Sequence, residues 1–388
     1  MMTRIFHPMG QGAFYTERFE KINIVYDCGT KNETIGRKVV KQSFKSTDEI
    51  DILFISHFHA DHISNIKTLK EHCKSIKNVV IPLLNDIEKI LIIISYMDLG
   101  LREEIKLIRN PNLYFGKKTK IIYVKQGENK NNELIGDNEP IDFEKINNED
   151  KIESGTVLKL SSIQTLDWCF VPYNPKDIER KRKLEEEFEN SEKIDIDKII
   201  DENSGDHVLD NFEEIKEKCR NLCNSNKEIN ESSMLLYSGP LKQRDDLFLV
   251  SFHRNRLLCN YLFRPYFTPE ALYRVGCIYT GDTNLKKITI KEVFNDYWKS
   301  VGTIQIPHHG SIENFNEDFF DFNGVSHDST FYFCPISARK NGYEHPSSFV
   351  ISSILSNNGL PIIINESPDS LLIQTIYSHS DEKKQVTL

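Results

Sequence analysis

The sequence predicts a layered α/β (α+β) fold, on three observations. Short apolar runs bounded by turn residues recur along all 388 residues. Helical patterns fall between them less regularly, which suits sheets covered by helices rather than a helical bundle. Hydrophobic residues make up 39% of the chain and aromatics 10%, enough to bury a sizeable core at a length that allows about two or three domains.

The runs that read as buried strands are Ile22 to Tyr26, Ile50 to Ser56, Val79 to Ile81, Ile121 to Val124, Trp168 to Val171 and Met234 to Tyr237, followed by Leu247 to Ser251, Val275 to Thr280, Thr303 to Ile306, Phe331 to Cys334 and Ile362 to Ile364. Helices are expected at Asp86 to Leu99, Ile290 to Trp298 and Ser347 to Ser356. Two stretches break the pattern. Gly127 to Glu153 is rich in Asn, Asp and Glu without a sustained period and reads as a surface loop. Asn174 to Asn230 is charged on nearly every face (KDIERKRKLEEEFEN, then DNFEEIKEKCRNLCN), as expected of helices projecting from a core. This charged helical insertion, 175–230, divides the chain into 1–174 and 231–388. A solvated insertion and a lid or partner-docking arm both fit its composition.

A net charge of -9 argues against a broad basic surface gripping nucleic acid, because non-specific binding needs many phosphate neutralisations; a narrow metal-filled cleft stays open. The opening MMTRIFHPMGQGAF has neither a signal-peptide core nor a transit-peptide pattern, and the longest apolar run, Ile90 to Tyr96, is too short to span a bilayer. A soluble cytoplasmic protein is expected, with no membrane partner. The eight cysteines are scattered through apolar segments and fit reduced thiols better than a disulfide framework.

The chemistry concentrates in EIDILFISHFHADHISNI. A buried strand ends abruptly in three histidines and an aspartate within six residues, His57, His59, Asp61 and His62, a cluster that is costly without a metal. On extended backbone, positions two apart point the same way, so His57 and His59 can face one cation while Asp61 and His62 turn toward a second. Further along, CIYTGDTNL places Asp282 just past an apolar strand, where α/β proteins carry functional groups. The strand TIQI then runs into Pro307-His308-His309-Gly310-Ser311, where glycine permits a close backbone approach and serine can donate to an oxyanion.

Together these segments resemble the metallo-β-lactamase superfamily. HFHADH matches its HxHxDH motif, INIVYDCGT looks like its early strand ending in Asp-Cys-Gly, and TGD and PHHGS follow in the expected order. The resemblance spans Ile22 to about Pro346, the two insertions excepted, and implies a four-layer αββα sandwich. Residues 1–174 and 231–388 would then supply its N-terminal and C-terminal halves. Within the superfamily, Asn230-Glu231-Ser232-Ser233, TGD, HHGS and Asn341-Gly342-Tyr343-Glu344-His345-Pro346 resemble the branch of competence-protein nuclease-like domains and choline-phosphate esterases.

The resemblance implies two divalent metal ions, zinc or manganese. His57 and His59 would bind the first, Asp61 and His62 the second, Asp282 would bridge both and His308 would complete the second site. His309 would face substrate or support a ligand, and either member of the pair remains open as the ligand. A further first-metal histidine common in the superfamily has no counterpart here, so an oxygen near Glu228 to Asn230 is a candidate in its place. Asp27-Cys28-Gly29 is expected to shape the floor of the site and orient the ligands by hydrogen bonds.

Two such cations about 3.5 to 4 Å apart can share a water and lower its pKa to around 7. Asp61 would orient the attacking hydroxide, His309, Ser311 and His345 would contact phosphate oxygens, and His345 is the candidate acid for the leaving group. The expected function is a binuclear phosphodiesterase or nuclease acting on nucleic acid or nucleotide-like substrates. The alternatives are a carboxylic ester, lactone or thioester hydrolase, and a metal-stabilised effector or interaction subunit of a larger assembly, such as a defence complex, docked through the 175–230 insertion.

Overall fold

The computed structural model describes residues 1–127, 139–176, 233–254, 256–257, 273–317, 332–340 and 345–378. The chain opens with an antiparallel meander of β1 (Met2–Phe6), β2 (Gly12–Arg18) and β3 (Asn23–Thr30). It then changes to parallel crossovers. Helix α1 (Glu33–Ser43) leads to β4 (Glu49–Phe54), α2 (Ala60–Ile63) and α3 (Ile66–His72) lead to β5 (Ser75–Pro82), and α4 (Asp86–Leu99), α5 (Arg102–Arg109) and α6 (Pro111–Phe115) lead to β6 (Lys120–Val124). Helix α4 has the bounds its sequence predicts because both ends are signalled: Asn85 and Glu88 close a capping box, and Gly100 ends it in the left-handed conformation.

Short strands β7 (Gln126–Gly127), β8 (Ile141–Asp142), β9 (Lys151–Ile152) and β10 (Leu158–Lys159) precede the long β11 (Trp168–Pro175). Next come β12 (Leu235–Pro240), β13 (Leu247–His253), β14 (Arg256–Leu257) and β15 (Gly276–Tyr279). The chain ends with α7 (Ile290–Val293), β16 (Val301–Ile304), β17 (Tyr332–Ser337), α8 (Ser348–Ser356), β18 (Gly359–Ile364) and β19 (Leu372–Ser378). Beyond Lys176 the charged 175–230 arm lies outside the described residues, as do residues 128–138 of the expected loop, Phe331, and 341–344.

Among the described residues the strands form two sheets, ordered β14-β13-β19-β1-β2-β3-β4-β5-β6-β9 and β18-β17-β16-β15-β12-β11-β10-β8 with β7 beside β11. Period-two alternation sorts their side chains. Ile24, Tyr26, Ile52 and Phe54 of the first sheet meet Phe170, Leu236, Tyr279 and Phe333 of the second in the central core. On the outer face of the first sheet, Val25, Leu53 and Val79 pack on Val40 of α1, Leu69 of α3 and Ile92 of α4. On the outer face of the second, Ile278, Ile304 and Ile336 pack on Ile290 of α7 and Val350 and Ile354 of α8. The result is the expected four-layer αββα sandwich, in which each fully buried aliphatic or aromatic side chain contributes about 1.5–3 kcal/mol. No helix among the described residues is long and apolar enough to cross a membrane.

The apolar-run reading passed over β1, β2 and β19, and the reason is chemical. Each carries a polar residue in the core: Arg4 and Glu17 are 0% and 2% exposed, and Gln374 is fully buried. Arg4 Nε meets Glu17 Oε1 at 2.8 Å, Tyr279 and Ser238 donate to the same carboxylate at 3.0 and 2.5 Å, and Trp168 Nε1 donates to Ser238 at 2.8 Å. The pairing of polar groups across the two sheets is invisible in any single run. The expected helix Ile290 to Trp298 is also divided, into α7 and a 3-10 turn at Asn295–Ser300.

Candidate metal centre

In both sheets the strands next to the site run parallel, so their carboxyl ends fall together. The loops after β3, β4, β15, β16 and β17 converge at one end of the sandwich. Two ties hold the halves in register there: Met234 N donates to Ser56 O at 2.8 Å, and Tyr26 OH donates to Met234 O at 2.8 Å. Close approach completes the floor. A Cβ on Gly29 would lie 2.5 Å from the His62 carbonyl carbon and the Ile63 nitrogen, so only glycine lets β3 run directly against α2.

Asp27, fully buried with φ 54°, organises the ligand loop. Its Oδ1 accepts from Ser56 N at 2.7 Å, and its Oδ2 accepts from Ser56 Oγ at 2.6 Å and from His62 Nδ1 at 2.8 Å. Because the Ser56 hydroxyl proton is donated to Asp27, Ser56 Oγ can only accept from Nδ1 of His57, 2.9 Å away. Ser233 Oγ stands 3.0 Å from the same Nδ1 and accepts from Asp282 N at 3.0 Å. His309 Nδ1 donates to the Ser337 carbonyl at 3.0 Å.

These contacts fix three tautomers. In His57, His62 and His309 the proton is held on Nδ1, and each Nε2 is buried without a hydrogen-bond partner. The bare nitrogens face carboxylates: His62 Nε2 lies 3.2 Å from Asp282 Oδ1, His57 Nε2 3.8 Å from Asp282 Oδ2, and His309 Nε2 3.4 Å from Asp61 Oδ2. His57, His62 and Asp282 have donor atoms within 4.8 Å of one another, as do Asp61, His62 and His309. Buried lone pairs of mixed nitrogen and oxygen aimed at common points are what a divalent ion takes, so the residues present fit the implied metal.

The electrostatics set His62 apart from the other rings. Burial, with the neighbouring rings of His62 and His59, holds His57 well below the usual imidazole range, and burial pushes His59 down to about 4. Burial disfavours the charge on His62 too, but Asp282 and Asp27 outweigh it and raise this ring well above its ordinary value, a preference for positive charge at Nε2 that a bound cation would satisfy in the proton's place. Burial likewise opposes ionisation of Asp282, yet His62, followed by His309 and His308, holds its carboxyl far below the usual range. The cluster is therefore built around fixed charge rather than an apolar floor.

The remaining candidates fall around this centre. His59 caps α2, and its ring stands 4.8 Å from that of His57. His308 and His309 both adopt positive φ, 46° and 57°, followed by Gly310 at 78°. This left-handed run separates the pair: His309 is buried against Asp61, while His308, half-buried, bonds Asn314 Oδ1 through Nδ1 at 2.8 Å. The His345 ring lies 6.1 Å from that of His308, held by the Ser347 N to Gly310 O bond at 3.0 Å. Ser311 is buried, and its Oγ accepts from Glu313 N at 3.3 Å. The Glu228 to Asn230 oxygen proposed for the first metal lies outside the described residues. The reading from residues alone passed over Ser56 and gave Ser233 no role at the site; a lone hydroxyl at a buried strand end before a histidine cluster was the available signal.

The model for the Metallo-beta-lactamase superfamily matches residues 16–82, which carry Asp27 and the whole HFHADH run. No curated protein matches the chain in sequence. Among solved structures, similarity is found to the metallo-beta-lactamase fold protein YhfI from Bacillus subtilis (11% identity, TM-score 0.25, 45% of this chain and 52% of that chain). It is found also to the short form of human tRNase Z (13%, 0.24, 44% and 60%) and to a long-form RNase Z from yeast (10%, 0.37, 86% and 37%). The chain thus spans between 37% and 60% of the length of these three proteins.

Proposed function

We propose that this chain is a metal-dependent hydrolase of phosphodiesters, along the lines of the nuclease-like and choline-phosphate esterase branch that its motifs resemble. One observation carries the reading: three buried imidazoles with Nδ1 engaged and Nε2 bare, set beside Asp61 and Asp282. His57, His59 and Asp282 would hold one ion, Asp61, His62 and His309 the other. Asp282 is suited to span them because its two oxygens face different rings. In this assignment His309, rather than His308, is the ligand. Bound zinc or manganese would neutralise phosphate charge and supply a nucleophile from water at neutral pH.

The chain's own groups do the rest. Asp27 fixes the tautomer and direction of His62, and Ser56 and Ser233 do the same for His57. Outside the ligand set, His308 and His345 form a half-buried pair at the rim, ring to ring at 6.1 Å. His345 would protonate the departing alkoxide, while His308, whose Nδ1 proton is committed to Asn314 Oδ1, packs beside that ring with its Nε2 as an acceptor. The rim acid favours a phosphodiester, whose alkoxide leaves poorly, over a thioester, whose thiolate departs without a proton, and a substrate panel separates it from a carboxylic ester or lactone.

A panel of bis-aryl phosphate, single- and double-stranded DNA, RNA and cyclic dinucleotides tests the reading against a lactone and a thioester. Cleavage of at least one diester, with His345→Ala lowering kcat more than it changes metal content, is the expected result. Turnover of the acyl substrates alone would overturn it.

A further inference from the structure

We propose that Lys31 is a specificity-determining residue that binds the anionic group of the substrate at the mouth of the metal centre, an inference resting on the phosphodiester reading above. Its Nζ lies 4.0 Å from Asp61 Oδ2, the oxygen that also faces His309 Nε2. The Lys31 side chain is 50% exposed and that of Asp61 10%. One end of this contact is therefore in solvent and the other in the donor cluster.

A stabilising ion pair is a poor account of it. At that distance and exposure such a pair contributes about 0–1 kcal/mol, and Asp61 already has His309 and His62 to hold its charge. What the fold does fix is the placement of the backbone that carries Lys31. Ser64 Oγ, one turn past Asp61, accepts from Thr30 N at 3.0 Å and donates to Thr30 O at 2.9 Å. Thr30 Oγ1 donates to Met9 O at 2.6 Å and accepts from Asn32 N at 3.2 Å, and Lys31 N donates to Gln11 O at 3.1 Å. With the glycine contact of Gly29 on α2, these bonds anchor the base of the side chain on both flanks, while its four-carbon stem leaves the ammonium mobile.

A rigid base with a mobile cation at the rim of an acidic cluster suits capture of an incoming anion. The chain is acidic overall, at -9, so a local positive charge has to provide attraction that the surface at large does not. Lys31 comes from the first sheet, whereas His345 comes from a loop of the second, so the substrate would be gripped from both halves of the sandwich.

The test uses the full-length metal-loaded protein, Lys31→Ala, Lys31→Glu and Lys31→Arg. Elemental analysis and thermal unfolding establish first that each variant is folded and keeps its metal. For bis-aryl phosphate, Lys31→Ala should raise KM about fivefold or more with a smaller change in kcat, Lys31→Glu should raise it further, and Lys31→Arg should restore most of the loss. Inorganic phosphate should raise the wild-type Tm more than that of Lys31→Ala. Equal KM and equal phosphate response in wild type and Lys31→Ala would overturn the role of Lys31 while leaving the phosphodiester reading intact. Loss of metal in Lys31→Ala would make Lys31 a support of the centre and overturn it as well. A wild-type protein that cleaves no diester would overturn both.

Discussion

The Asp27 carboxylate holds His62 by its Nδ1 at 2.8 Å and so aims the Nε2 of the same ring at Asp282, 3.2 Å away. Asp27→Ala removes the acceptor that selects this tautomer and frees the Ser56 hydroxyl that orders His57. Metal affinity is expected to fall about 10–100-fold. Competition titration against a chelator measures it; an unchanged affinity would show that the ring is held by other means.

Asp282 offers one oxygen to each of two rings, His57 and His62. Asp282→Ala should abolish turnover and reduce metal content from close to two ions per chain, because no neighbouring group replaces a carboxylate between the sites. The fold should persist, since the change removes buried charge rather than adding it. Elemental analysis with a thermal melt checks both parts, and activity within a few-fold of wild type would refute the bridging role.

His7 is a pH sensor of stability remote from the metal-ligand chemistry. It is buried between Thr16 Oγ1 at 2.9 Å and Ser43 Oγ at 3.2 Å, stacked on Phe14, and burial, aided by nearby Arg18, pushes it down to about 3. The folded ring stays neutral while the unfolded ring takes a proton below about pH 6.5, so its contribution is present above that pH and is lost as pH falls toward 3. The loss is about 2 kcal/mol at pH 5. His7→Gln should be less stable than wild type at pH 7 and should narrow that gap by about this amount at pH 5, read by denaturant unfolding at the two pH values.

The Arg4–Glu17 pair bridges β1 and β2 inside the sandwich. Glu17→Ala strands a buried guanidinium and leaves Tyr279 and Ser238 without their acceptor, at an expected cost of about 3–5 kcal/mol. Replacing both partners, Arg4→Met with Glu17→Leu, should recover much of it. Chemical unfolding of the single and double variants decides the matter; a double variant no better than the single would mean the wider polar network, rather than the pair, sets the stability.

Local chemistry makes the central features of this protein legible in its sequence. The strand Ile52 to Ile55 is apolar enough to be buried, and the histidines that follow it within a few residues can only be tolerated together if something binds them. The capped helix Asp86–Leu99, the strand end at Asp-Cys-Gly and the TGD and PHHGS loops are legible for the same reason: each is specified by neighbours in the chain. The sandwich class follows from the alternation of such runs.

Long-range packing decides the rest. Whether His308 or His309 turns inward depends on three consecutive left-handed residues and on Pro346 closing over Gly310, a relation between segments far apart in the chain. Ser56 becomes an orienting group only when Asp27 of β3 takes its proton, Ser233 only when β12 docks beside the end of β4, and Lys31 becomes a rim cation only because Gly29 brings β3 against α2. Arg4, Glu17 and Gln374 look like surface residues in their own strands and are core residues because Val275, Tyr279, Ser238 and Thr303 meet them from across the sandwich. A residue's type sets which bonds it can make, but burial and the partner across the core set which ones it does make, and those are properties of the assembled layers.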